Sequence, residues 1–193
     1  MTRRIIVGIS GSSAPLYGIF TLRALRAVPD VETHLVLSEG AHLSIMHEAQ
    51  EWTIREIESL ADVVHKPGNM AASISSGSFK THGMVVAPCS MKTLAAIANS
   101  YSDNLIARAA DVCLKERRRL VLVPRETPLH RGHLINMLTV TDMGAVVLPP
   151  VPGFYSNPQS IEDIVNHTVG KVLDILDLEH HLFQRWQGDD GKE

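Results

Sequence analysis

Four short stretches of this sequence combine groups that handle anions with places where a chain must turn. Ser10-Gly11-Ser12-Ser13 follows the apolar run Ile5-Ile6-Val7-Gly8-Ile9. Glycine permits a tight turn there, and the free N–H groups of a following helix start can face an anion. The same residues also fit a plain helix cap, with Ser12 or Ser13 at the N-cap and Pro15 in the first turn. The spacing is neither GxGxxG nor a Walker loop. Pro88-Cys89-Ser90-Met91-Lys92-Thr93 is a second hydroxyl-rich helix start. Ser90 stands at its cap and Thr93 lies one turn on, while Cys89 is either a nucleophile or a small apolar filler.

Pro124-Arg125-Glu126-Thr127-Pro128 holds a guanidinium and a carboxylate between prolines. It is either a rigid ligand-binding turn or a surface ion pair of little worth. Pro149 to Tyr155 is a stiff loop that presents Phe154 and Tyr155, as a lid or as plugs at the core edge. Arg108 and Lys115 are seven residues apart and share one helix face, so a single anion could meet both if that face borders a cleft. Arg117, Arg118 and Arg119 read as basic residues complementing a helix C-terminus.

Other chemistries find no footing. The ten histidines include no HxxxH or HExxH pair and no cluster with metal-ligand spacing, so no catalytic metal is expected. There is no GxSxG elbow, and no Ser-His-Asp order can be selected. Two hydroxyl-rich helix starts in one sheet favour a shared ligand more than either start does alone.

Positioning these groups falls to alternating strands and helices. Strands are expected at Ile5–Ile9, Val31–Leu37 (closed by Ser38), Asp62–His65, Met84–Ala87 (stopped by Pro88), Leu120–Val123 (stopped by Pro124) and Ala145–Leu148. Helices are expected over 15–28, over 40–61 in one or two pieces, and over 91–98, 104–118, 130–143 and 161–178; 68–82 reads as a loop with one helical turn. Such alternation implies βαβ crossovers and a doubly wound, three-layer α/β/α fold of the Rossmann or flavodoxin-like kind, with a mostly parallel six-stranded sheet. Ligands in such sheets bind beyond the carboxyl ends of the strands, which is where the unusual residues stand.

The 193 residues, 45% apolar, suit one domain spanning 1–193 with a flexible tail at 187–193. A net charge of −3 gives no reason to expect nucleic acid or an anionic membrane as partner. No apolar run is long enough to span a bilayer, and the N-terminus lacks a signal-peptide h-region. Two cysteines make no disulfide framework. The expectation is a cytoplasmic, reduced protein.

Taken together, the segments GISGSS, ETHLVLS, AASISSGSF, GMVVAPCSMKTLAAI, RAADVCLKERRRLVLVPRETPLH, GAVVLPPVPGFY and RWQG resemble the UbiX-type flavin prenyltransferases, including the branch associated with phenolic acid decarboxylases. The resemblance implies metal-free transfer of a dimethylallyl group from dimethylallyl monophosphate to N5 and then C6 of reduced FMN. The prenylated FMN would serve a separate UbiD-type decarboxylase. It also implies a homo-oligomer, a dodecamer in the family, with sites near subunit interfaces.

Residue by residue, the resemblance gives FMN contacts to Gly11, Ser12, Ser13, Ser38, Ser90, Met91, Lys92, Thr93 and Arg125. It gives the prenyl phosphate to Tyr155 and Lys171, with Arg108, Lys115, Arg125 and Glu126 as further members of that site. Glu48 matches a carboxylate that works with Ser13 on a proton at the flavin. Phe154, Tyr155 and Trp186 are candidates for a lid that keeps water from the allyl cation.

Three departures stand out. Lys171 replaces an arginine and lacks its bidentate fork. Met70 lies near where some members carry a tryptophan. Glu48 sits in His47-Glu48-Ala49 rather than a Glu-Thr pair. Two other functions stay open on the residues. One is an FMN-dependent cysteine decarboxylase of the same broad fold, though PCSMKT stands where its PASAN-type segment belongs. The other is a non-catalytic flavin carrier or decarboxylase partner, which would have no use for a second anion site.

Overall fold

The computed structural model describes residues 2–186 and 188, so most of the tail expected at 187–193 lies outside the described residues. Strands β1 (Arg3–Ile9), β2 (Val31–Leu37), β3 (Val63–His65), β4 (Gly83–Cys89), β5 (Arg119–Pro124) and β6 (Val146–Val147) form one sheet in the order β3-β2-β1-β4-β5-β6. All five pairings are parallel. Helices α1 (Leu16–Arg26), α2 (Glu39–Glu48), α3 (Ile54–Glu58), α4 (Met91–Ala98), α5 (Leu105–Lys115), α6 (Arg131–Asp142) and α7 (Ile161–Ile175) cover both faces. The expected three-layer α/β/α architecture is what the chain adopts.

Strand alternation sorts the core into two. Ile5, Val7 and Ile9 face α1 and α7, with Leu22, Leu25, Val169 and Leu173. Ile6, Met84, Val86, Leu120 and Leu122 face the other way, onto α4, α5 and α6. Each fully buried Ile or Leu contributes about 1.5–3 kcal/mol relative to exposure, so both layers are pinned to the sheet. Helix starts are fixed by side-chain caps: Ser38 accepts from the Ala41 amide, Asn104 from the Ala107 amide, and Thr53 and Ser160 form capping boxes with Glu56 and Asp163.

Several boundaries differ from those the sequence suggests, each for a local reason. β4 runs past Pro88 to Cys89, because the ladder to β5 shifts register between Val86 and Cys89 and the missing proline N–H falls in that break. β5 includes Pro124 as its last residue. β6 pairs over Val146–Val147 alone. α5 stops at Lys115 rather than Arg118: Arg117 turns left-handed (φ 56), and the amides of Arg117 and Arg118 return to the carbonyls of Leu114 and Cys113. α7 ends the same way at Asp177 (φ 60), with Leu178 bonded back to Leu173. Among the described residues no helix is long and apolar enough to cross a membrane.

Candidate functional site

The strand order reverses between β1 and β4, since β1 connects onward to β2 on one side while β4 lies on the other. Their carboxyl ends therefore open a crevice. Ser10, fully buried, ties the two ends together: its hydroxyl donates to the Pro88 carbonyl at 2.9 Å and accepts the Ser90 amide at 2.8 Å. Sequence reasoning passed over this role. Its only signal is a serine directly after the apolar run Ile5–Ile9.

Gly11 comes next and lies against Gly40 at the start of α2. A Cβ on Gly11 would sit 2.7 Å from the Gly40 Cα and 2.8 Å from its carbonyl carbon. Backbone meets backbone here, which brings the β1 and β2 ends into one wall.

Ser12 and Ser13 are not helix caps. The N-cap of α1 is Pro15, without a side-chain cap bond. Ser12 instead donates to the Arg125 carbonyl at 2.9 Å, joining the β1 and β5 ends. Ser13 donates to Glu48 Oε2 at 2.8 Å, and the Ala14 amide donates to the same oxygen at 2.7 Å. Ala14 holds a left-handed conformation (φ 67), which costs an alanine about 1–2 kcal/mol, and the Glu48 carboxylate secures that turn. Glu48, despite its departure from the family's Glu-Thr pair, is in hydrogen-bond contact with Ser13.

At the β4 end, Ser90 does cap its helix: it accepts the Thr93 amide at 3.3 Å, and its hydroxyl donates to Thr93 Oγ1 at 3.1 Å. Ser38 caps α2 in the same manner at 3.1 Å. Two helix N-termini and their dipoles therefore point into one cleft of about 600 Å³. All nine residues that the resemblance gives to FMN border this cleft, together with Glu126. Lys92 is 83% exposed and only loosely paired with Asp103 at 3.9 Å, so its ammonium is available to an anion. The Glu126 carboxylate accepts the Thr127 amide at 3.0 Å, which folds it onto its own turn.

Cys89 resolves to the filler. It is fully buried in the α4/α5 core, and burial pushes its thiol up to about 12. A thiol held protonated in apolar surroundings is a poor nucleophile. Among the described residues no group of three or more His, Cys, Asp or Glu side chains is placed to hold a metal ion.

Of the phosphate candidates, Arg125 and Glu126 border this cleft, and the other four stand elsewhere. Arg108 donates from Nε to the Ser75 carbonyl at 3.1 Å and pairs with Asp111 at 2.7 Å. Lys115 pairs with Glu116. Lys115 borders the same 73–77 turn as Arg108, since a Cβ on Gly77 would lie 2.7 Å from Lys115 Nζ. Lys115 is nine residues beyond Ile106, a cleft residue, and so about 14 Å further along the helix. Tyr155 is 64% exposed and its hydroxyl bonds His167 Nε2 at 2.9 Å. Lys171 lies near Asp174 at 3.5 Å. These last two belong to the α7 side of the sheet, and Arg108 and Lys115 to the α5 side. One chain does not bring the two pairs together. The lid candidates Phe154, Tyr155 and Trp186 are likewise exposed, as is Met70.

Comparison with known proteins follows the same lines. The flavoprotein family model matches residues 1–178. Flavin prenyltransferase UbiX of Escherichia coli K12 is 55% identical over 188 residues, covering 96% of this chain and 99% of that protein. The crystal structure of AnUbiX (PadA1) in complex with FMN and dimethylallyl pyrophosphate superposes with a TM-score of 0.95 at 52% identity, covering 98% of this chain and 100% of that one. A dodecameric FMN-dependent UbiX-like decarboxylase from Escherichia coli O157:H7 superposes with a TM-score of 0.92 at 51% identity, over 96% and 100% of the two chains.

Proposed function

Because the chain belongs to the UbiX-type flavin prenyltransferases, we propose that it transfers a dimethylallyl group from dimethylallyl monophosphate to N5 and C6 of reduced FMN, as one flavoprotein domain spanning 1–193. The observation that carries the reading is the cleft at the β1/β4 switch point, walled by two hydroxyl-capped helix starts and by Ser13, whose hydroxyl donates to Glu48.

The residues present suit FMN. The hydroxyls and amides at the starts of α2 and α4, with Lys92, offer donors to its phosphate, while the close Gly11–Gly40 backbone contact holds the β1 and β2 ends together as one wall. When bound and reduced, the flavin supplies the two nucleophilic positions that take the prenyl carbons. Ser13 and Glu48 hold and relay a proton at N5. Arg125 and Glu126 stand at the mouth of the same cleft.

Arg108, Lys115, Tyr155 and Lys171 bind the phosphate of the donor and stabilise the charge it gains as the C1–O bond breaks. Their division between the two faces of one sheet supports a site completed by neighbouring copies of the chain. The family-like assembly is a homo-oligomer, a dodecamer as in the related structure. Phe154, Trp186 and Met70, exposed on the single chain, then close over the prenyl group. Lys171 keeps the charge of the family arginine without its fork and so binds phosphate as a point charge.

The product is the cofactor of a UbiD-type decarboxylase. Neither nucleic acid nor membrane takes part. Two buried free thiols support a cytoplasmic location.

Anaerobic incubation tests the function, with reduced FMN and dimethylallyl monophosphate in one arm, and oxidised FMN, as the electron acceptor that oxidative decarboxylation needs, with a peptide ending in cysteine in the other. Consumption of the prenyl donor is expected. Release of CO2 from the peptide, with the donor untouched, would replace this reading by a cysteine decarboxylase.

A further inference from the structure

His167 is the one side chain that the Tyr155 hydroxyl bonds among the described residues, at 2.9 Å through Nε2. Neither the sequence nor the resemblance singles it out. It stands on α7 four residues before Lys171, so the two share a helix face. Its ring is fixed from several directions. Tyr155 meets it edge-on at 5.7 Å and Phe183 lies against it at 4.8 Å. Gly153 approaches so closely that a Cβ there would be 3.2 Å from His167 Cε1. Asp163, one turn earlier on the same helix, is occupied with the amides of Gln159 and Ser160. Tyr155 itself sits in a short turn with 64% of its surface exposed, so its phenol has little else to aim it.

We infer that His167 is a positioning residue for donor capture: it donates Nε2–H to the Tyr155 oxygen and thereby turns the phenolic proton toward the prenyl phosphate. The reason is donor arithmetic. A tyrosine hydroxyl has one proton and two lone pairs, and phosphate oxygens at neutral pH accept only. If Tyr155 gave its proton to His167, it would turn a lone pair toward the phosphate and repel it. With the histidine as donor, one lone pair is used and the proton is left for the ligand. The bond also polarises the phenol, which strengthens it as a donor.

The inference rests on the reading of Tyr155 as a ligand of the prenyl phosphate, and the test separates the two. Steady-state kinetics with dimethylallyl monophosphate are measured for His167→Phe, His167→Leu, His167→Gln, Tyr155→Phe and the double variant Tyr155→Phe/His167→Phe, with FMN affinity measured in parallel. His167→Phe keeps the packing against Phe183 and removes the donor; His167→Leu makes the same comparison without added bulk. The expected result is a KM for the donor raised about tenfold, the equivalent of one well-aimed hydrogen bond, with kcat and FMN affinity within about twofold. His167→Gln, which retains an N–H donor, restores KM to within about threefold, and the double variant is no worse than Tyr155→Phe alone. An unchanged KM in His167→Phe and His167→Leu, alongside a raised KM in Tyr155→Phe, overturns the role of His167. An unchanged KM in Tyr155→Phe overturns the phosphate reading of Tyr155 and this inference with it.

Discussion

The Ser13 hydroxyl and the Glu48 carboxylate meet at 2.8 Å across 35 residues of sequence. The bond joins the turn after β1 to the last residue of α2, and the Ala14 amide shares the same carboxylate oxygen. The carboxylate thus has a structural task, securing a left-handed alanine, and a chemical one, accepting from a serine on the cleft wall.

Substitution separates the two tasks. In Glu48→Gln the side-chain oxygen still accepts a hydrogen bond while the charge is lost. FMN affinity is expected to stay within about threefold, and the single-turnover prenylation rate to fall about a hundredfold, in the range for loss of a positioned proton acceptor. Ser13→Ala is expected to follow it in rate. Rapid-quench kinetics on FMN-loaded protein check both; a full rate in either variant returns the pair to a purely structural role.

Gly11→Ala tests the wall itself. The new methyl group would meet Gly40 backbone atoms at 2.7 and 2.8 Å, and backbone cannot rotate away. The β1 and β2 ends must separate, at a cost of about 1–3 kcal/mol. Urea denaturation and FMN titration are expected to show both lower stability and weaker binding. Wild-type FMN affinity in this variant would mean that the glycine contact does not shape the cleft.

Subunit mixing tests the shared site. Lys115 lies on the α5 side of the sheet and Tyr155 on the α7 side. At donor concentrations well below the wild-type KM, Lys115→Ala and Tyr155→Phe proteins are each expected to turn over about tenfold more slowly than wild type or worse. Co-expressed, they should regain about a quarter of wild-type turnover if every site takes the two residues from different chains at random. Mixed oligomers as slow as their parents would contradict a site built between copies.

The buried thiols give a prediction about pH. Burial pushes Cys89 up to about 12 and Cys113 up to about 11. Both values are raised above the ordinary thiol value of about 8.5. The stabilisation from keeping them protonated in the fold is therefore complete below that value and lost as pH rises through the folded values. Native protein is expected to show no reaction with Ellman's reagent near pH 8, where both thiols are free only after denaturation, and its stability should fall progressively above pH ~9. A thiol titrated rapidly in the native protein would contradict this burial and reopen a nucleophilic role for Cys89.

Much of this was legible in the sequence where the signal is local. The run Ile5–Ile9 and the proline-bounded strands report a sheet covered on both faces, and Ser90 reads as a cap because its partner Thr93 is three residues away. What escaped was non-local or conformational. Nothing in GISGSSAP announces that Ala14 turns left-handed, so a cap on α1 stays open as an alternative for Ser12 and Ser13 although Pro15 holds that place. Ser12 finds its partner 113 residues away and Ser10 finds one 80 residues away, distances that spacing rules do not reach. The helix ends at Lys115 and Ile175 were missed because residues other than glycine, Arg117 and Asp177, take the left-handed position that normally advertises a stop. The Ser13–Glu48 contact could be anticipated only through family resemblance, and the Tyr155–His167 contact is visible only in the structure.

The central claim is tested most directly by the mass of the flavin itself. Wild-type protein is incubated anaerobically with reduced FMN and dimethylallyl monophosphate, and the extracted flavin is weighed by mass spectrometry. The expected product is FMN enlarged by one C5 prenyl unit, formed without added metal. Unmodified FMN, recovered from folded and FMN-loaded protein supplied with the donor, would contradict the account.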